Sequence, residues 1–112
     1  MIDWTRVKEL RDEIGGEDFA EVVALFLEEA DEVVGRLQDC HDPRALESAL
    51  HFLKGSALNL GFSALAELCQ TGERQAAMGD VDIDLGPVIA TYDRSKSAFE
   101  AGLDRLVGSR AA

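Results

Sequence analysis

The sequence predicts an all-α domain, and three observations lead to that prediction. Apolar residues recur at intervals of three and four along the 112-residue chain, which is the period of an amphipathic helix. No segment of useful length alternates apolar and polar residues as a strand does. Glycines, prolines and capping residues divide the pattern into one short and four long segments. We therefore expect an antiparallel up-down-up-down four-helix bundle with an additional short N-terminal helix at one end.

The first two helices are defined by apolar positions and by the residues at their ends. The short helix spans about residues 3–14 and ends at Gly15-Gly16. The second begins at Asp18, which forms a capping-box-like pair with Glu21, and extends to about Gln38. The apolar sides comprise Trp4, Val7, Leu10 and Ile14 in the first helix, and Phe19, Val22, Val23, Phe26, Ala30, Val33 and Leu37 in the second.

The remaining three helices follow the same logic. Asp42-Pro43 is a cap followed by proline at the first helical position, and Gly61 should end that third helix. Ser63 can cap a fourth helix to about Met78, residues 79–86 form a loop, and Pro87 begins the last helix. Apolar positions are Leu65, Leu68, Cys69 and Ala76 in the fourth helix, and Val88, Ile89, Tyr92, Phe99, Leu103 and Leu106 in the fifth.

Length and charge restrict the possible functions. We expect residues 1–112 to form a single domain, with the bundle at about 18–108, and to leave no room for an ATP-binding domain. The formal net charge of -11 disfavours binding to nucleic acid or to an anionic membrane. Neither a signal peptide nor a membrane-spanning run is present, so we expect a cytoplasmic protein, and four long helices favour a monomer.

The cysteines and histidines do not form a recognisable metal-binding pattern. Cys40, His41, His51 and Cys69 lack the paired spacing of zinc ligands, so we expect no metal site. A cytosolic module of this size usually keeps its thiols reduced, and we expect no disulfide. Core packing is the simplest interpretation of Cys69.

His51 is the residue whose position suggests chemistry. The core side of the third helix comprises Leu46, Ala49, Leu50, Leu53, Ala57 and Leu60. At about 100° per residue, His51 falls roughly 150° from the centre of that side, and Lys54 and Gly55 share its outer surface. His51 should therefore face solvent, and an ordinary surface histidine remains the alternative.

The neighbours of His51 favour a functional role. A side chain at position 55 would lie over the turn that carries His51, whereas glycine leaves that approach open to another protein. Lys54 places a cation close to any anion attached to the imidazole. The alternatives are that Lys54 is solvated or paired with Glu47, and that Gly55 serves close helix packing.

An exposed imidazole is a suitable phosphoryl acceptor. Its ordinary pKa of about 6.5 leaves it largely neutral at pH 7, with a lone pair for attack on phosphorus. Phosphoryl transfer also needs oxygen charge to be neutralised, and one cation is insufficient. The sequence has neither a Gly-rich phosphate loop nor an acidic cluster near His51. We expect no intrinsic cofactor, and we expect Mg²⁺ to come from a partner.

The segment ALHFLKGSALNLGF resembles the H-x-x-K-G-[SA]-[SA]-x-x-x-G signature of histidine-containing phosphotransfer (HPt) domains. The opening IDW, the second helix and the Asp-Pro before the third extend the resemblance over about the first 80 residues. It implies a four-helix bundle that exchanges phosphoryl groups with receiver domains and with sensor or hybrid histidine kinases. It also implies that His51 is phosphorylated, that Lys54 supports the phosphoryl charge and that Gly55 admits the partner.

Four further positions are candidates for contact with a partner. Some HPt domains carry a glutamine near the imidazole, and the matching residue is Glu73, which could orient a protonated ring nitrogen but would repel phosphate. We favour a solvated surface acid for Glu73. Leu58 and Phe62, extended by Leu25, could form an apolar docking patch, and burial between helices is the alternative.

Three functions remain open from the sequence. The first is a phosphocarrier that accepts a phosphoryl group on His51 and passes it to a response regulator. The second is a non-catalytic helical adaptor that docks receiver domains and would keep binding them without His51. The third is the dimerising phosphoacceptor part of a histidine kinase, which needs an ATP-binding domain; we expect no labelling by ATP alone.

Overall fold

The computed structural model describes residues 2–80 and 82–111, with side chains described as far as residue 103, and is helical. Its five helices are α1 (Trp4–Ile14), α2 (Phe19–Leu37), α3 (Pro43–Leu60), α4 (Ser63–Ala77) and α5 (Gly86–Ala111). Within the described ranges the β-type pairing consists of one isolated bridge, between Ile2 and Phe62. The prediction of an all-α domain with one short and four long helices is confirmed.

Glycines end the helices where the sequence predicts. Gly15 follows α1 with φ 99°, and Gly61 ends α3 in the left-handed conformation with φ 77°. At the start of α1, Asp3 accepts a hydrogen bond from the backbone N–H of Arg6 at 3.3 Å.

Two predicted helix starts are wrong in detail, and Asp42 occupies the predicted capping position of α3 without making a side-chain cap hydrogen bond. Asp18 precedes α2 but makes no side-chain cap hydrogen bond, because its backbone is already helical and a capping side chain needs an extended backbone. The predicted capping box with Glu21 is therefore absent. Ser63 lies inside α4, and Phe62 occupies the capping position, because the corner after Gly61 is held by backbone hydrogen bonds.

The predicted apolar sides form the core. Its fully buried members from the predicted set are Val7, Leu10, Phe19, Val23, Ala30, Leu37, Leu46, Leu50, Leu53, Ala57, Leu60, Leu65, Cys69, Ala76, Val88, Tyr92 and Phe99. Leu27 and Phe62 are also buried, although neither was assigned to the core. The predicted position of Leu106 lies outside the described side chains.

The four long helices contact one another around the core. α3 packs against α2 and α4, and α4 packs against α5. Side chains of α5 also reach α2, where Lys96 Nζ lies 2.8 Å from an oxygen of Asp31. The alternating up-and-down direction of these helices stays a prediction. Over the described residues no helix is long and apolar enough to cross a bilayer.

Helix α1 closes one end of this arrangement. The Asp3 N–H donates to the carbonyl of Gly61 at 2.7 Å, and Trp4 stacks on Phe99 with ring centroids 6.0 Å apart. A Cβ at Gly102 would overlap the Trp4 ring, so glycine is needed there for this contact. α1 is thus tied both to the end of α3 and to α5.

Asp31 links α2 to α5. It accepts hydrogen bonds from Lys96 Nζ and from the Tyr92 hydroxyl, which also donates to the Leu27 carbonyl at 3.3 Å. Partial burial opposes ionisation of Asp31, but the hydrogen bonds from Lys96 and Tyr92 outweigh it and hold the pKa of this carboxyl below its ordinary 3.8. Burial and the Asp31 charge raise the pKa of Tyr92, which therefore remains a donor.

We expect Asp31→Asn to weaken the fold in a pH-dependent way. Because the pKa of Asp31 is lower in the folded state, its stabilisation is present above about pH 4 and is lost as the pH falls through the folded-state pKa. With both charged partners partly solvated, the loss in free energy of unfolding should be about 1 kcal/mol at pH 7. Urea unfolding between pH 7 and pH 2 measures the difference, which should shrink toward acid. Glu28→Gln, an exposed site on the same helix, is the control; an Asp31 effect independent of pH would contradict this prediction.

Candidate functional site

His51 lies on the solvent side of α3. Its side chain is 68% exposed, whereas Leu50 and Leu53 on the opposite side are fully buried. The orientation follows from the helical period, since a residue roughly 150° from a buried side must point away from the core. The imidazole is therefore accessible to another protein.

Gly55 leaves open space one turn beyond His51. A Cβ at this position would meet no heavy atom within 4 Å, and its φ is not positive. Neither close helix packing nor backbone conformation therefore requires glycine, and the packing alternative is wrong. A glycine here costs about 1 kcal/mol of helix stability relative to alanine, but it leaves the space beside the imidazole free of side-chain atoms.

Glu73 of α4 joins His51 and Lys54. One carboxylate oxygen, Oε2, lies 2.8 Å from His51 Nδ1, and the other, Oε1, lies 2.7 Å from Lys54 Nζ. The Glu73 side chain is only 19% exposed, so its interpretation as a solvated surface acid is wrong. Lys54 pairs with this carboxylate and not with Glu47.

Close packing between α3 and α4 creates this contact. A Cβ at Gly72 would lie 2.9 Å from Leu50 Cδ1, so glycine lets the two helices approach and brings the following residue, Glu73, to the imidazole. Residues 51 and 73 are 22 positions apart, so no local spacing rule connects them. Gly72 is a signal in the sequence for this close approach, and the resemblance to HPt domains also places Glu73 near the imidazole.

The charge state of Glu73 decides which imidazole nitrogen carries the proton in the neutral ring. The hydrogen bond from Lys54 lowers the pKa of Glu73 below its ordinary 4.5; partial burial opposes this shift, and the hydrogen bond with His51 adds to it. An ionised carboxylate can only accept, so Nδ1 of His51 must carry the proton that it donates. In the neutral ring the lone pair then lies on Nε2.

Cys69 is a buried residue close to Glu73 and Lys54. Burial, reinforced by the charge of Glu73, raises the pKa of its thiol to about 12, which keeps it protonated. Its interpretation as a core residue is confirmed. Cys40 is half-buried, and within the described ranges no group of three His, Cys, Asp or Glu side chains is placed to hold a metal ion.

The predicted docking residues separate into two groups. Leu58 and Leu25 are 57% and 55% exposed, whereas Phe62 is 1% exposed. The assignment of Phe62 to a docking patch is wrong, because its ring packs edge-on against Phe99 with centroids 5.3 Å apart. Phe52, which is not among the predicted docking residues, is 37% exposed and follows His51 directly.

Comparison with known families agrees with this geometry. A family model described as Hpt domain matches residues 21–108, which is most of the chain. The chain belongs to the Hpt domain family. Searches of curated proteins and of solved structures found no match. Membership in the Hpt family gives the chain a histidine phosphotransfer role in a phosphorelay. The match contains His51, Lys54 and Glu73 and leaves out helix α1.

Proposed function

We propose that His51 accepts a phosphoryl group from a receiver-domain aspartate or a hybrid kinase and passes it to a response regulator. The observation that carries this proposal is the exposed imidazole whose Nδ1 is held by Glu73 at 2.8 Å. With the Nδ1 proton fixed, Nε2 is the nucleophile. The neighbouring Gly55 surface is open, so a partner can bring its phosphoryl group in line with Nε2.

The proposed step is a reversible exchange of one bond. The Nε2 lone pair attacks phosphorus, the N–P bond forms, and the P–O bond to the aspartate breaks with its electron pair leaving on the carboxylate. The ring becomes cationic, and the carboxylate of Glu73 stabilises that charge through the Nδ1 proton. In the reverse direction the ring leaves as neutral imidazole, because Nδ1 has kept its proton. The same residue therefore serves uptake and release.

Lys54 supplies part of the charge neutralisation. Its ammonium has three donors, so it can keep its 2.7 Å contact with Glu73 and still donate to a phosphoryl oxygen. The remaining charge requires Mg²⁺, which we assign to the partner receiver domain. A monomeric antiparallel four-helix bundle in the cytoplasm completes the proposal.

Transfer from phosphorylated receivers tests the proposal directly. Incubating the protein with a panel of phosphorylated receiver domains and Mg²⁺ should produce phosphohistidine at His51, located by mass spectrometry, with the phosphoryl group on Nε2 by ¹⁵N and ³¹P NMR. ATP alone should give no label. Receiver binding without transfer across the panel would instead support the adaptor function and contradict this one.

We expect Glu73→Gln to slow uptake roughly tenfold, because a neutral amide replaces a charged hydrogen-bond acceptor and no longer favours one tautomer. The readout specific to this role is ¹⁵N NMR of the imidazole. The variant should show a larger fraction of the ring with its proton on Nε2.

Glu67→Gln is the matched control, since Glu67 is an exposed acid on the same helix. It should alter neither the rate nor the tautomer. An unchanged tautomer and rate in Glu73→Gln would show that Glu73 is not a positioning residue.

A further inference from the structure

Helix α1 lies outside the family-matched segment 21–108, yet one of its side chains contacts α3, the helix that carries His51. Arg6 Nη2 donates to Asn59 Oδ1 at 3.3 Å, and Arg6 Nη1 lies 3.1 Å from a carboxylate oxygen of Glu13. The guanidinium is therefore held at the end of α3, and the Arg6 side chain is 24% exposed.

Asn59 and His51 share what we call the outer face of α3. This face consists of His51, Phe52, Gly55, Leu58 and Asn59. With about 100° of rotation per residue, all five residues lie within about 60° of Gly55 around the helix axis. Phe52 and Leu58 are exposed large apolar residues, so the accessible apolar surface extends from His51 toward the end of α3 where Arg6 lies.

The size of a protein interface brings Arg6 within reach of a partner. A standard interface covers about 800 Å² on each side, which corresponds to a patch of about 16 Å radius. Asn59 is eight residues beyond His51, or about 12 Å along the helix. A partner centred on His51 and seated on the apolar residues of the outer face therefore reaches Asn59 and Arg6.

The charge of Arg6 defines the partner chemistry. Lys54, the cation closest to His51 in sequence, contacts Glu73 beside the imidazole and serves the transferring group, whereas Arg6 lies at the edge of the outer face. Arg6 contacts the carboxylate of Glu13, but its side chain remains partly exposed, in a chain whose formal net charge is -11. At the rim of an interface such a cation favours a partner with a carboxylate opposite it.

We propose that α1 forms one edge of the receiver-docking surface, and that Arg6 favours receiver domains carrying an acidic side chain at the matching edge of their contact face. This inference rests on the proposed phosphotransfer function and adds a determinant of partner choice. Arg6 lies too far from Nε2 to touch the transferring group. It acts on encounter and not on the chemical step.

Charge reversal on two faces of α1 tests the inference. For a receiver that phosphorylates the wild type, Arg6→Glu should raise the KM of transfer about fivefold at low salt and leave kcat unchanged, because rim charges act mainly on association. The increase should fall as ionic strength rises. Lys8→Glu makes the same change in net charge about 200° around α1 and should leave KM unchanged.

A second variant separates docking from folding. Asn59→Glu should keep α1 in place, because the new carboxylate can pair with Arg6. The same pair neutralises the positive charge that the partner would otherwise meet, so KM should rise as in Arg6→Glu. Thermal unfolding checks that each variant is folded. Equal KM values in the wild type, Arg6→Glu and Asn59→Glu across the receivers that transfer would overturn the inference. Absence of transfer to wild-type His51 would instead overturn the proposed function.

Discussion

Replacing His51 with glutamine is expected to abolish phosphoryl uptake, with a loss of at least about a thousandfold. The glutamine amide nitrogen has its lone pair delocalised into the carbonyl, so no nucleophile remains at the exposed position. Because the His51 side chain is 68% exposed, the free energy of unfolding should change by less than about 0.5 kcal/mol. Transfer from a phosphorylated receiver and urea unfolding of the same preparation measure the two effects.

His41→Gln is the matched control for this prediction. His41 is also exposed and lies in the segment between α2 and α3. This control should accept phosphate at the wild-type rate. If His51→Gln still became phosphorylated and His41→Gln did not, the phosphoacceptor would be His41, and this prediction would be wrong.

Replacing Gly55 with leucine is expected to change stability and transfer in opposite directions. Nothing lies within 4 Å of the new Cβ, so leucine should stabilise the helix by about 0.7 kcal/mol through its higher helix propensity. Its side chain leans over the turn that carries His51 and blocks the in-line approach of a receiver. A misplaced phosphoryl donor should slow transfer about a hundredfold. Unfolding and transfer assays on one preparation show both effects.

Gly55→Ala provides the graded comparison. Alanine should stabilise the fold by about 1 kcal/mol and slow transfer much less than leucine, because a methyl group barely covers the imidazole. Wild-type transfer rates in Gly55→Leu would show that partners do not approach His51 over this surface. A fall in stability would show that the space beside Gly55 is needed by the fold.

The sequence alone determined which side of each helix is buried, and with it the orientation of His51. A helix turns by a fixed angle per residue, so the spacing of Leu46, Leu50 and Leu53 predicts the buried side of α3. The exposed side is then the opposite one, and no tertiary information is needed to find it. The ends at Gly15 and Gly61 were predictable for a similar reason, because a positive φ favours glycine at the residue that follows a helix.

The resemblance to HPt domains placed Glu73 near the imidazole, but only the tertiary structure decided which contacts complete the site, including the pairing of Glu73 with Lys54. Glu73 contacts His51 and Lys54 because α4 packs closely on α3 at Gly72. Phe62 is buried because its ring packs edge-on against Phe99. The position of Arg6 beside Asn59 likewise depends on how α1 is tied to the end of α3. Helical periodicity gives the direction of a side chain from its own axis, but the distance between side chains of different helices depends on how those helices pack.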